Sequence, residues 1–255
     1  MSDIIFAIPT YNRPERQKTV EYLLAEGAEH VVLFVQNRYE EYEERYGKMV
    51  EIVRTKATSI SSNRNAILDE CQGHKVVMMD DDIRRVDRYD PTVNKWERPT
   101  PPFLPFVEHN FEDAEQVGAE IWGVYPIHLR LYIKTRPERQ NLTLLIGTVM
   151  GMFAGTRRFD EQFRVDEDFD FCARILLDGK KSVRWNKWAA DAEHRTKGGC
   201  DQDWETEEQY ARLLAQKYPR LLSFAPDKSS HIRVIPEKAM EIVLHPSHED
   251  GDTLF

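Results

Sequence analysis

The chain has 255 residues, 41% hydrophobic and 31% charged, with a formal net charge of −9. That length buries a sizeable core as one large or two small domains, no apolar stretch approaches the roughly 18–20 residues of a membrane span, and the acidic balance argues against a surface that attracts nucleic acid everywhere. Cys71, Cys172 and Cys200 show neither zinc spacing nor a disulfide framework; with the polar Met-Ser-Asp start and no basic leader, they predict a reducing, cytoplasmic setting.

Ile4–Ile8 reads as a short buried strand ended by Pro9, and Thr10-Tyr11-Asn12-Arg13 as the loop after it. Pro14-Glu15 suits the start of a helix that carries Val20, Leu23 and Leu24 inward and stops near Gly27. Val31–Val35 is a second strand, Tyr39–Tyr46 an acidic, aromatic helix and Val50–Val53 a third strand. Ser59 to Asn63 is a cap-rich loop opening a helix to about Cys71, and Val76–Met79 is the fourth strand. This β-α-β-α-β-α-β series predicts a parallel α/β sheet. Five prolines between Pro91 and Pro105 predict an irregular surface loop or lid over Asp90–Pro105. Then come a helix over Phe111–Glu120, a strand at Ile121–Pro126, a basic segment from Ile127 to Gln140, and strands within Leu142–Ala154. A helix over Phe169–Leu177 with Gly179 past its end, a strand at Ser182–Trp185 and an amphipathic helix over Glu205–Tyr218 follow. The tail from Pro246 is polar and acidic. Neither a Gly-x-Gly-x-x-Gly fingerprint nor a Walker-type loop is present, so a nicotinamide or P-loop site has no support.

The fourth strand ends in three consecutive carboxylates, Asp80, Asp81 and Asp82. Acids this close raise one another's pKa unless something positive sits among them. A divalent cation is the natural partner, and a diphosphate the natural second ligand of that cation; a solvated acidic turn would also account for the triplet. Two further polar elements, Thr10–Arg13 and Ser62–Asn65, follow the first and third strands, and in a parallel sheet all three open onto one edge. Tyr11 is then placed to cover a base ring, Thr10 or Asn65 to bond its polar edge, and Arg13 and Arg64 to reach ribose or phosphate. Asp166–Asp170 sets four acids in five residues, more than complementing a helix dipole requires, and reads as a general base for an acceptor hydroxyl. Glu193 to Gly199 reads as a phosphate-contacting loop, with His194 a third metal ligand and Arg195 or Lys197 facing a leaving diphosphate. Basic charge concentrates in two stretches: Trp122–Arg158 has six Lys and Arg against one acid, and Asp178–Cys200 six against three. Solvated faces would explain these equally.

Taken together, these residues resemble the nucleotide-diphospho-sugar glycosyltransferases of the GT-A fold, over roughly residues 3–200. Ile8 to Pro14 looks like that family's first strand and loop, which sets Pro9, Thr10, Tyr11, Asn12 and Arg13 against the donor. Ser62 to Ala66 is similar to its "ARN" element, placing Arg64 and Asn65 beneath the nucleotide. Asp80-Asp81-Asp82 looks like its metal-binding Asp-x-Asp, Glu167-Asp168-Phe169-Asp170 resembles the segment that holds the base in inverting members, and His194 with Gly198-Gly199 resembles the late metal-ligand loop. The chain is also similar to the bacteriophage TET-associated glycosyltransferases, which place sugar on hydroxymethylated pyrimidines in DNA; the likeness lies in its compact length, the Pro9 to Pro14 opening and the Asp-Asp-Asp-Ile step.

The resemblance implies a Rossmann-like α/β fold: an open, mostly parallel sheet flanked by helices, with a smaller acceptor-side sheet. It implies one domain over residues 1–245, with a nucleotide-binding half at 1–85, an acceptor half at 86–245, and a polar tail at 246–255. Mn²⁺ or Mg²⁺ would be held by Asp80, Asp82 and His194 against a UDP-sugar or related donor, with Asp80, Asp81 and Lys197 also contacting that donor. Asp168, or its neighbour Glu167, would activate the acceptor. Modified DNA, such as DNA carrying 5-hydroxymethylcytosine, would be contacted through segments 130–139, 157–158 and 180–197. The Asp90–Pro105 loop has no counterpart in the family. Other readings stay open: the same chemistry on a saccharide or other small acceptor, with Trp96, Trp122 and Trp185 as stacking platforms, or a non-catalytic binder of saccharide or nucleic acid. A nucleotidyltransferase would show a glycine-rich opening loop with a lysine, which this chain lacks.

Overall fold

A computed structural model describes residues 4–99, 102–128, 133, 136–193, 204–226 and 231–235. Its first half alternates as the apolar pattern predicts: β1 (Ile4–Thr10), α1 (Lys18–Glu26), β2 (Val31–Val35), α2 (Tyr39–Tyr46), β3 (Glu51–Arg54), α3 (Ile60–Glu70) and β4 (Lys75–Met79). After it come β5 (Ile83–Asp90), β6 (Lys95–Glu97), α4 (Phe103–Val117), β7 (Ala119–Tyr125), β8 (Arg139–Asn141) and β9 (Val149–Phe153). The described chain closes with α5 (Glu167–Leu177), β10 (Lys181–Ala192), α6 (Trp204–Lys217), β11 (Leu222–Phe224) and β12 (Ile232–Val234).

Ten strands make one sheet in the order β3-β2-β1-β4-β9-β7-β10-β5-β6, with β8 pairing β10, while β11 and β12 form a separate small sheet. β3, β2, β1 and β4 are mutually parallel; β9 runs antiparallel between β4 and β7. The strands of the second half therefore extend the first-half sheet. β4 shows why its sequence is apolar throughout: Val76 and Met78 enter the core beneath α3, α5 and α6, while Val77 and Met79 enter the opposite core beneath α1, α2 and α4. A strand buried on both faces has no polar alternation. α3 begins at a Ser59–Ser62 capping box, and α1 ends at Gly27, whose φ of +86° suits only a residue without Cβ.

Several boundaries differ from expectation. β1 continues through Pro9 to Thr10. The Phe6 N–H donates to the His30 carbonyl on the β2 side, so by alternation the nitrogen of Pro9 faces the β4 side, where pairing has already ended at Ala7; no ladder bond is lost. α1 starts at Lys18 rather than at Pro14, and β3 lies one residue later than expected. The Asp90–Pro105 stretch is only partly irregular. It holds β6, which forms a hairpin with β5, and the start of α4. Pro105 occupies the first turn of α4, where an N–H would have no intrahelical acceptor. α5 starts at Glu167, two residues early, which puts Glu167 and Asp168 in its first turn. β10 runs on from Trp185 to Ala192 through a register shift. The polar pair Asn186 and Lys187 inside it is buried, with Asn186 donating to the Pro137 carbonyl and Lys187 to that of Ile133. Among the described residues no helix is long and apolar enough to cross a membrane.

Candidate active site

The strand order reverses between β1 and β4: α1 carries the chain from β1 to β2 on one side, and α3 returns it to β4 on the other. Open α/β sheets bind ligands at such a point, beyond the C-terminal strand ends. Here the two ends are bonded together. Thr10 Oγ1 donates to Asp81 Oδ2 at 2.7 Å, and Arg13 Nη1 donates to Asp81 Oδ1 at 2.7 Å. Gln17 Nε2 donates to Thr10 Oγ1 at 3.0 Å, and the Tyr42 hydroxyl sits 3.0 Å from Thr10 Oγ1 while accepting from the Arg13 N–H at 2.7 Å. Asp81 is thus internal. Burial raises its pKa, and Arg13 and Thr10 work against that rise. Thr10, Arg13 and Asp81, expected to meet the donor, bond one another in a frame that ties the two strand ends together.

Asp80 and Asp82 flank this frame. The Asp80 N–H donates to the Thr148 carbonyl at 3.1 Å, its own carbonyl accepts from the Thr19 hydroxyl, and Thr19 Oγ1 accepts from the Ile83 N–H at 3.0 Å. The start of α1 and the segment before β9 therefore clamp the triplet's backbone. About a third of the Asp80 side chain meets solvent. Burial, then Asp82, Asp81 and Glu167, push its pKa up to about 7 against the opposing charge of Arg64. Asp82 Oδ2 lies 3.4 Å from Arg13 Nη1, and the Asp82 carbonyl accepts from the Glu193 N–H at 3.1 Å. Two carboxylates at one strand end are hard oxygen donors suited to Mn²⁺ or Mg²⁺, with phosphate oxygens or water completing the shell. Among the described residues no three metal-ligating side chains converge. His194 and Lys197 lie outside the described residues; the chain leaves for them at Glu193, directly against Asp82.

Arg64 links the triplet to the second acidic cluster. Its buried guanidinium has Nη1 2.7 Å from Glu167 Oε1 and Nη2 3.5 Å from Asp80 Oδ1, and Nη2 also donates to the Gly147 carbonyl at 3.2 Å. The Gly147 N–H in turn donates to Asp168 Oδ2 at 2.6 Å, and Asp168 Oδ1 accepts from the Phe169 N–H at 2.7 Å. A Cβ on residue 147 would overlap the Arg64 guanidinium, so this glycine allows the close approach. Burial raises the pKa of Glu167 and of Asp168, with Arg64 opposing in both. Asp166, at φ +57° just before α5, is raised to about 8 by burial and then by Asp168, Glu167 and Glu207. Asp170 belongs elsewhere. It is fully buried and accepts from Arg174 Nε at 2.9 Å, Lys217 Nζ at 2.7 Å and the Tyr218 hydroxyl at 2.6 Å, which docks α6 on α5.

Of the remaining expected residues, Tyr11 and Asn12 are exposed on the loop after β1, open to a ligand, whereas Pro9 is buried in β1. Asn65 faces away from the cleft: its Nδ2 donates to the Phe159 carbonyl at 3.0 Å and its Oδ1 accepts from the Phe159 N–H at 2.7 Å. Arg157 and Arg158 follow β9, which runs antiparallel to β4 with Phe153 opposite Lys75, so they lie at the sheet edge opposite the triplet. Both are ion-paired there, Arg157 with Asp178 and Glu120, and Arg158 with Asp69. Residues 130–132, 134–135 and 194–197 of the other basic segments lie outside the described residues. Sequence reasoning missed Gly147, Thr19 and Tyr42. A glycine within the apolar Leu144–Val149 run signals close backbone approach; the inward role of Tyr42 leaves no signal in its acidic helix.

A family model described as TET-Associated Glycosyltransferase matches residues 4–199. Among solved structures, glucosyl-3-phosphoglycerate synthase from Mycobacterium tuberculosis, in complex with Mn²⁺, UDP and glucosyl-3-phosphoglycerate, superposes with a TM-score of 0.52 at 12% identity, covering 91% of this chain and 87% of that one. The same enzyme with Mn²⁺, UDP-glucose and phosphoglyceric acid gives a TM-score of 0.51 at 12% identity, over 91% and 86% of the two chains. These likenesses establish the GT-A type of fold. No curated protein matches.

Proposed function

Since the chain belongs to the TET-associated glycosyltransferase family and is a glycosyltransferase, we propose that it moves a sugar from a nucleotide-diphospho-sugar, a UDP-sugar first among them, to the hydroxyl of a hydroxymethylated pyrimidine in DNA, with Mn²⁺ or Mg²⁺ at Asp80 and Asp82. The observation that carries this reading is the Asp80–Arg64–Glu167 bridge, continued through Gly147 to Asp168, which ties the triplet, suited to a cation, to an acid suited to base catalysis. The family supports the sugar chemistry, and the solved relatives of the same fold bind Mn²⁺ with UDP or UDP-glucose.

In this reading Tyr11 covers the base of the donor, and Asp81 with Thr10 and Arg13 fixes the floor. A cation at Asp80 and Asp82 supplies neutralising charge for the departing nucleoside diphosphate. Asp168 takes the proton of the acceptor hydroxyl. Glu167 is held by Arg64, whereas Asp168 accepts one backbone N–H on each oxygen, which leaves each a further lone pair for a proton. A pyrimidine hydroxyl in duplex DNA reaches such a cleft by flipping out of the stack.

The test is a donor screen against unmodified and hydroxymethylated DNA, read by mass spectrometry of the released nucleosides with and without Mn²⁺. Addition of one sugar to the hydroxymethylated nucleoside only, and only with metal, is expected. Transfer to a free saccharide with none to DNA would overturn the acceptor, and full transfer in the presence of a chelator would overturn the metal.

A further inference from the structure

We infer that Arg16, Arg84, Arg85 and Arg98 form the face that holds the backbone phosphates of acceptor DNA; this rests on the acceptor proposed above. The observation is an asymmetry in their ion pairs. Arg98 is 78% exposed and its partner Glu26 only 6%; Arg85 is 55% exposed against 3% for Asp87; Arg84 is 49% exposed against 16% for Asp191. Arg16 repeats the pattern over Glu193. In every pair the carboxylate lies beneath and the guanidinium above. The acids hold the cations from behind, Arg84 Nη2 at 2.7 Å from Asp191 Oδ1 and Arg98 Nη2 at 2.7 Å from Glu26 Oε1.

A guanidinium has five N–H donors in a rigid fork. One anchored edge leaves the others facing solvent, already oriented, so a phosphate oxygen pair can be met with little loss of rotamer freedom. The pairs at Arg157 and Arg158 are built the opposite way: Asp69 is 67% exposed over an Arg158 that is 31% exposed. An anion approaching there meets carboxylate first.

Position favours the same face. Arg84 and Arg85 follow the triplet by two and three residues along β5. Glu193, the partner of Arg16, bonds the Asp82 carbonyl. Arg84, Arg85 and Arg98 border a cleft of about 650 Å³ between α1 and the β5–β6 hairpin, with Tyr22 and Trp96 in its walls. A strand whose phosphates lie along these arginines therefore presents its bases beside the acidic triplet.

The experiment is fluorescence anisotropy of the full chain on a hydroxymethylcytosine duplex over a series of salt concentrations, with calorimetry of UDP plus Mn²⁺ in parallel. Each phosphate contact contributes about 0.9 to the slope of log affinity against log salt. Arg84→Ala/Arg98→Ala is expected to lower that slope by about 1.8, two contacts at that value, with UDP affinity unchanged. Arg84→Lys/Arg98→Lys is expected to keep it, which separates lost charge from lost packing over Glu26, and Arg157→Ala/Arg158→Ala is expected to leave it as in the wild type. An unaltered slope in the Arg84→Ala/Arg98→Ala protein, or a fall in the Arg157→Ala/Arg158→Ala protein instead, overturns this surface alone. Wild-type protein that binds no duplex overturns the DNA acceptor, and this surface with it.

Discussion

Arg64→Met tests whether one buried guanidinium holds the two acidic clusters together. The substitution keeps much of the side-chain volume and removes the charge between Glu167, 2.7 Å away, and Asp80, 3.5 Å away. Removing one partner of a buried ion pair costs about 3–5 kcal/mol, because the other charge stays buried without compensation. At roughly 2–4 °C per kcal/mol for a chain of this size, melting should fall by roughly 6–20 °C. The loss should also depend on pH. Burial already raises the pKa of Glu167 even with Arg64 beside it, so without Arg64 it rises further and the acid takes up a proton in mildly acidic buffer. Protonation removes the uncompensated charge, so the deficit should be largest near pH 8 and shrink toward pH 5.5. Thermal melts of both proteins at the two pH values, in chelator to exclude metal, measure this directly. A deficit below about 1 kcal/mol at pH 8, the scale of an exposed pair, or one that is equal at both pH values, would refute the bridging role.

Gly147→Ala should cost about 1–3 kcal/mol, the range for overpacking, since its Cβ would displace the Arg64 guanidinium; urea unfolding showing wild-type stability would remove the close-approach reasoning. Asp168→Asn should slow sugar transfer by on the order of 10²–10⁴ while donor affinity measured by calorimetry holds; near-normal turnover would take the base assignment away. Asp82→Ala should abolish metal-dependent donor binding, whereas Asp81→Asn should lower the melting temperature through the Thr10 and Arg13 contacts; reversed outcomes would interchange their roles. Metal-free protein should lose stability as pH rises from 6 to about 8.5. Asp166, at about 8, has a folded pKa above its unfolded value, so its contribution is complete in acid and lost as pH rises through that value. Asp166→Asn, which tolerates the positive φ, should flatten the trend, and an equally steep decline in that variant would count against it.

The parallel half of the fold was readable because its strands are buried on both faces and its helices carry local punctuation. β2 and α2 fall where the apolar runs and aromatic positions put them, and α3 opens at its serine caps. β5 was not readable: Arg84, Arg85 and Arg88 break its apolar pattern because they face solvent while Val86, Asp87 and Tyr89 face inward. α4 was concealed by prolines that its first turn accommodates. The lower half of β10 was concealed by Asn186 and Lys187, whose buried side-chain nitrogens donate to carbonyls 49 and 54 residues away in sequence. Such partners leave no trace in local periodicity.

At the site, strand-end position was readable and side-chain direction was not. Asp81, expected with Asp80 to contact the donor, turns inward to Thr10 and Arg13, and three consecutive acids beyond a strand end carry no signal for which of them does so. Nor does the sequence give a direction for Arg13 or Arg64, whose long side chains reach either a ligand or an acid. Burial decides between these. A cation placed under three acids lowers the cost of their mutual repulsion whether or not a ligand is bound, so the two arginines nearest the triplet are drawn inward. In the phosphate-holding face proposed above the acids lie behind the cations, as at Arg84, Arg85 and Arg98 on the β5 side, whereas at Arg157 and Arg158 the acids are the more exposed partners.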